Sequence, residues 1–154
     1  MIRERTTMPK AYASTVIDLP ADRVWAVVRD FNALPAWAGH MVARSEIEEG
    51  KAADQVGCVR NFYTHDGAQI RERLLALSDL ERSYTYNFET TPFDVQNYQA
   101  TLRVTPVTDG ARSLVEWWST FDCAPDASAQ WIDTFANGVF GGGFTNLRKH
   151  LAGG

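Results

Sequence analysis

The residues with the most chemical content lie in one short segment, Ile70-Arg71-Glu72-Arg73-Leu74. On a strand, successive side chains point to opposite faces. Arg71 and Arg73 then share one face, and Glu72 shares the other with Ile70 and Leu74. Arginines seldom bury fully, so their face is expected toward water and Glu72 toward the apolar side. A lone carboxylate there is costly, and it seeks a cation or takes a proton. Arg60, across the turn His65-Asp66-Gly67, is the expected cation. Such a pair can be a structural ion pair or a polar anchor for a ligand carboxylate, carbonyl or hydroxyl. It can also be catalytic, with Glu72 as acid or base and Arg60 steadying developing negative charge.

Glu116 is a second candidate carboxylate. It sits beside Trp118 at period two, but Val115 and Trp117 offer an equally apolar face, so alternation leaves its direction open. Tyr86 and Tyr98 fall on the inner faces of neighbouring strands, each with a ring to pack and a hydroxyl to donate. Phe62, Leu74, Ala100, Trp118 and Phe135 are expected to supply apolar lining. His40, His65 and His150 have no metal-ligand spacing, and no metal site or cofactor is expected. No nucleophile motif or phosphate loop is present.

These residues must be positioned by recognisable elements. Lys10 to Asp18 has strand composition. Pro20 opens a helix in which Val24, Trp25, Val27, Val28 and Phe31 form an apolar stripe. Asn32 and Pro35 end it, and Leu34 to Ala38 is a second short turn. Val42 to Glu48 reads as a weak strand. Val56 to Thr64 and Ala68 to Leu77 flank Asp66-Gly67, a strong hairpin signal. Ser83 to Phe88 follows. Tyr98 to Val107 and Leu114 to Phe121 flank a second hairpin turn at Asp109-Gly110. Asp126 to Leu151 has helical spacing, with Pro125 before it and Arg148, Lys149 and His150 at its negative end. Consecutive antiparallel strands need a helix over their apolar face, and this last helix is the element long enough. Gly141-Gly142-Gly143 lies inside it. Each glycine costs about 1 kcal/mol against alanine in a helix interior. The run therefore implies a bend or a close approach to the sheet or a ligand, and Gly142 is expected to shape the pocket.

The 154 residues fit one domain spanning 1–154. Five Trp, five Tyr and eight Phe exceed plain core filling and suit a ring-lined cavity. A net charge of −4 argues against nucleic acid as a partner. Cys58 and Cys123 stand far apart and are expected as thiols. The charged N-terminus lacks a secretion signal, and no stretch approaches the length of a membrane span. A cytoplasmic location without integral membrane association is expected, as a monomer or homodimer.

The chain resembles the START-like, or SRPBCC, superfamily. The resemblance rests on Leu19-Pro20-Ala21-Asp22-Arg23-Val24-Trp25, Leu34-Pro35-Ala36-Trp37 and Gly57-Cys58-Val59-Arg60. It extends through Arg71-Glu72-Arg73-Leu74, Asn97-Tyr98 and Glu116-Trp117-Trp118. Members include bacterial polyketide cyclase/dehydrase-like proteins, plant abscisic-acid receptors and birch-pollen-allergen-like proteins. The resemblance implies an α+β helix-grip fold: a curved seven-stranded antiparallel sheet around a long C-terminal helix, with two short helices after the first strand. It implies a cavity between sheet and helix, favours Glu116 inward, and matches Tyr86 and Tyr98 to cavity residues of the receptors. The receptors carry a long gating loop where this chain has the short His65-Asp66-Gly67 turn, which argues against hormone-receptor function. Thr90-Thr91-Pro92-Phe93, with an exposed Phe93, would suit a lid instead.

Three functions follow as expectations. The first is binding of a small, mostly hydrophobic molecule. The second is a cofactor-independent cyclase, dehydratase or lyase acting on a polyketide-like or aromatic substrate. The third is an interaction module presenting its surface to a protein partner.

Overall fold

The computed structural model describes residues 8–153. A seven-stranded antiparallel sheet has the order β1-β7-β6-β5-β4-β3-β2. The strands are β1 (Lys10–Ile17), β2 (Val42–Ile47), β3 (Val59–Thr64), β4 (Gln69–Ser78), β5 (Ser83–Thr90), β6 (Gln96–Val107) and β7 (Arg112–Asp122). Strands β2 to β7 run as a meander. Among the described residues, the one crossover joins β1, paired with β7, to β2 at the far edge, and helices α1 (Ala21–Val28) and α2 (Leu34–Trp37) make that journey.

Two hairpins fix the register. Gly67 (φ 90°) and Gly110 (φ 96°) occupy left-handed backbone that other residues adopt only at a cost. The first pairs Arg60 with Glu72, and the second pairs Leu102 with Trp117 and Ala100 with Ser119. Directly paired residues of an antiparallel ladder point to the same face, so each hairpin commits both its strands to one inner side.

That inner side is covered by the C-terminal helical run. It begins as a tight turn at Pro125–Ala127, continues as α3 (Ser128–Asp133), widens into π-type turns over Thr134–Gly141, and ends as α4 (Gly142–Ala152). The backbone stays helical through the glycines, with φ −62° at both Gly141 and Gly142, so the run does not break the helix. Close approach explains it: a Cβ on Gly143 would stand 2.8 Å from Trp117 Cζ3, and one on Gly142 would stand 2.8 Å from His40 Nε2.

The core joins both layers. Phe135, Phe140, Phe144 and Leu147 of the helical run meet Leu102, Val104, Val115 and Trp117 of the sheet, with Val24, Trp25 and Val28 of α1 at one end. Cys58 is buried, Cys123 is half-buried, and both are free thiols. No helix among the described residues is long and apolar enough to cross a membrane.

Candidate functional site

A cavity of about 630 Å³ lies between the concave sheet and the π-type segment of the helix. Its polar floor is built by the first hairpin. Arg60 on β3 and Glu72 on β4 are cross-strand partners. Arg60 Nε and Nη2 both reach Glu72 Oε1 at 2.7 Å. Arg60 Nη1 donates to the Phe31 carbonyl oxygen at 3.2 Å. The guanidinium carbon lies 3.9 Å from the Phe31 ring centroid and 4.7 Å from that of Tyr86. The two side chains are only 1% and 6% exposed, which is rare for an ion pair and demands good geometry on both sides. Burial works against the Arg60 charge, but the Glu72 carboxylate beside it outweighs that cost, so the guanidinium holds its proton above its ordinary range. Burial lifts the Glu72 carboxyl, and Arg60 pulls it back.

Arg71 and Arg73 lie on the opposite face. There they meet Glu48 and Glu89 at 2.7 and 2.8 Å, each pair partly exposed.

The aromatic wall comes from β5, β6, β7 and the helix. Tyr98 stacks on Phe88 with centroids 3.9 Å apart and lies 5.0 Å from Phe135. Phe93 closes edge-on against Phe135. It is half-buried rather than exposed, because Phe88, Trp131 and Phe135 surround it. Trp117 Nε1 donates to the Tyr86 hydroxyl at 3.1 Å. Burial raises both Tyr86 and Tyr98 well above the ordinary phenol value, so both keep their protons.

At the mouth, His40, His65 and Asp66 line the opening. The His65 ring sits 2.6 Å from the Gly39 carbonyl oxygen, tying the β3–β4 turn to the segment after α2. Burial holds His40 below its ordinary value. Among the described residues, no group of three His, Cys, Asp or Glu could hold a metal ion.

Arg60, Phe62, Glu72, Tyr86, Tyr98 and Phe135 thus meet at one cavity. Leu74 and Ala100 do not line it; both are fully buried in the core, packed beneath the wall. Gly142 does not line it directly, but backs His40, which does. Glu116 and Trp118 are corrections. Glu116 faces outward and accepts a hydrogen bond from the Tyr12 hydroxyl at 2.6 Å. Trp118 lies on the same outer face, with Lys10 Nζ 5.8 Å from its ring centroid. Val115, Trp117, Ser119 and Phe121 are the inward set. Trp117 is one of several lining residues that residue-by-residue reading passes over, with Met41, Phe88 and Val139 among the others. The signal for it was present: an Asp109-Gly110 turn pairs Trp117 with Leu102, whose strand has an unambiguous inner face.

The model for the polyketide cyclase/dehydrase and lipid transport family matches residues 8–152. The chain belongs to this family. Two solved structures of similar proteins have the same fold. One is the protein XoxI from Bacillus cereus, 33% identical, with a TM-score of 0.83 over 94% of this chain and 96% of that one. The other is an uncharacterised protein from Bacillus thuringiensis, 32% identical, with a TM-score of 0.81 over 93% of this chain and 98% of that one. A norcoclaurine synthase point mutant from Thalictrum, solved with a transition-state analogue, is 14% identical with a TM-score of 0.76 over 98% of both chains. At that identity the likeness is one of fold alone. A search of curated proteins gives no match.

Proposed function

We propose that the chain acts as one domain that binds a small, mostly hydrophobic molecule in the cavity between the sheet and the C-terminal helix. The observation that carries this reading is the composition of the wall: about 630 Å³ of space surrounded by rings and aliphatic side chains, with one neutralised ion pair at the floor. Ligand sites are of this size and this kind, mostly apolar with a few placed polar groups. The family description, which joins cyclase/dehydrase activity with lipid transport, is consistent with it.

The test is saturable uptake of a neutral apolar dye, N-phenyl-1-naphthylamine, followed by its fluorescence. One-to-one uptake is expected in the wild type. In Val139→Trp, which fills the cavity from the helix, it should be lost. Absence of saturable uptake, or equal uptake in the filled variant, would overturn the reading.

A cofactor-independent cyclase or dehydratase in the same cavity is the second reading. It is favoured by the buried Glu72 carboxyl beside the protonated hydroxyls of Tyr86 and Tyr98, a set able to accept and return a proton. A two-carboxylate version has no support, since Glu116 lies outside.

A further inference from the structure

The floor of the cavity offers a ligand an acceptor and withholds a cation. Every nitrogen of the Arg60 guanidinium is engaged: Nε and Nη2 by Glu72 Oε1, and Nη1 by the Phe31 carbonyl. Rings of Phe31 and Tyr86 lie 3.9 and 4.7 Å from its central carbon. Glu72 is differently placed. Both Arg60 bonds fall on Oε1, and Glu72 lines the cavity, so Oε2 is the carboxylate oxygen left for an occupant. Among the described residues, the buried side-chain atoms without a partner are Trp37 Nε1, Tyr84 Oη, Asn87 Oδ1 and Ser119 Oγ. Glu72 Oε2 is not among these sealed atoms, as expected of one that opens on the cavity.

The pair also cancels its own charge. An anionic group brought to it would meet Glu72 with no free guanidinium edge to bind, in a site where desolvation is costly. An ammonium group would give up its hydration to meet a pair whose net charge is already zero. A neutral hydroxyl loses only its water partner and gains a charge-assisted bond.

We infer that the cavity selects an uncharged ligand carrying a hydroxyl, an alcohol or a phenol on an apolar body, which donates to Glu72 Oε2, and that it rejects the corresponding carboxylate. The aromatic wall of Phe88, Tyr98 and Phe135 favours a ring as that body. This rests on the cavity being a binding site, and it assigns the chemical class that the site takes.

The experiment compares naphthalene, 2-naphthol and 2-naphthoate as competitors of N-phenyl-1-naphthylamine at neutral pH, where the acid is an anion and the phenol is not. In the wild type, 2-naphthol should bind about tenfold tighter than naphthalene, as for a hydrogen bond to a charged acceptor, and 2-naphthoate more weakly than either. In Glu72→Gln the preference for the phenol should shrink. If that variant does not fold, the wild-type series alone decides. Binding of 2-naphthoate as tight as that of 2-naphthol overturns the inference, as does a phenol no better than naphthalene. In both cases continued dye uptake leaves the binding reading standing. Failure of the dye itself to enter overturns both.

Discussion

Gly143 and Trp117 touch so closely that a single methyl group cannot be placed between them: a Cβ on Gly143 would lie 2.8 Å from Trp117 Cζ3. Trp117 is 2% exposed and stacks on Phe140 at 4.6 Å, so its ring has no direction in which to yield cheaply. Gly143→Ala gains helix propensity but overpacks the core, and overpacking costs about 1–3 kcal/mol. The net expectation is a loss of stability, read as a lower urea midpoint with an unchanged slope. A stabilised variant would show that the helix can move away from the sheet.

At Gly142 the neighbour is the His40 ring, on the cavity side. Gly142→Leu should push that ring toward the cavity and weaken dye uptake while leaving most of the core intact. Unchanged binding would mean that the ring swings outward at no cost.

Removing one partner of the floor pair strands the other. Glu72→Leu should cost about 3–5 kcal/mol, because it leaves the Arg60 charge buried and unpaired. Arg60→Met combined with Glu72→Leu should recover most of that loss, since two apolar side chains suit the site. Chemical denaturation of the two single variants and the double variant measures this coupling. Additive losses would contradict it.

His40 makes the mouth sensitive to acid. Its folded value lies below its ordinary value of 6.5 because burial disfavours the charged form, with His65 adding to the effect. The folded state therefore prefers neutral His40. Its contribution is intact above about pH 6.5 and is lost as pH falls through the lower folded value. Between about pH 7 and pH 5, the wild-type melting temperature should fall more than that of His40→Asn. Equal slopes would assign the acid loss to other groups.

Glu116 supplies a contrast. It sits on the outer face with Tyr12, so Glu116→Gln should change stability by no more than about 0.5 kcal/mol and leave dye uptake unaltered. Loss of uptake would require Glu116 to reach the cavity in another conformation.

Some of this site is legible in the chain alone because strand alternation is a local rule. Ile70, Glu72 and Leu74 stand against Arg71 and Arg73, so the inward carboxylate and its need for a cation follow from five consecutive residues. The strand Leu114 to Phe121 offers no such contrast. Val115 and Trp117 are as apolar as Trp118, and the glutamate between them does not decide. There the likeness to related proteins points the wrong way, and the hairpin register decides instead.

Sequence by itself determined the order of elements, the two hairpins, the family likeness and the Arg60–Glu72 pair. Each rests on spacing along the chain or on turn residues with special backbone needs. The tertiary structure decided what lines the cavity rather than lying beneath it. Leu74 and Ala100 have the same inward facing as Tyr86 and Tyr98, yet they end in solid core. Both are at 0% exposure, closed in by close-packed neighbours on every side. Whether a residue meets a ligand or another side chain depends on how far the helix stands from the sheet at that point. The glycines at the start of α4 and the wider π-type turns before it set that distance.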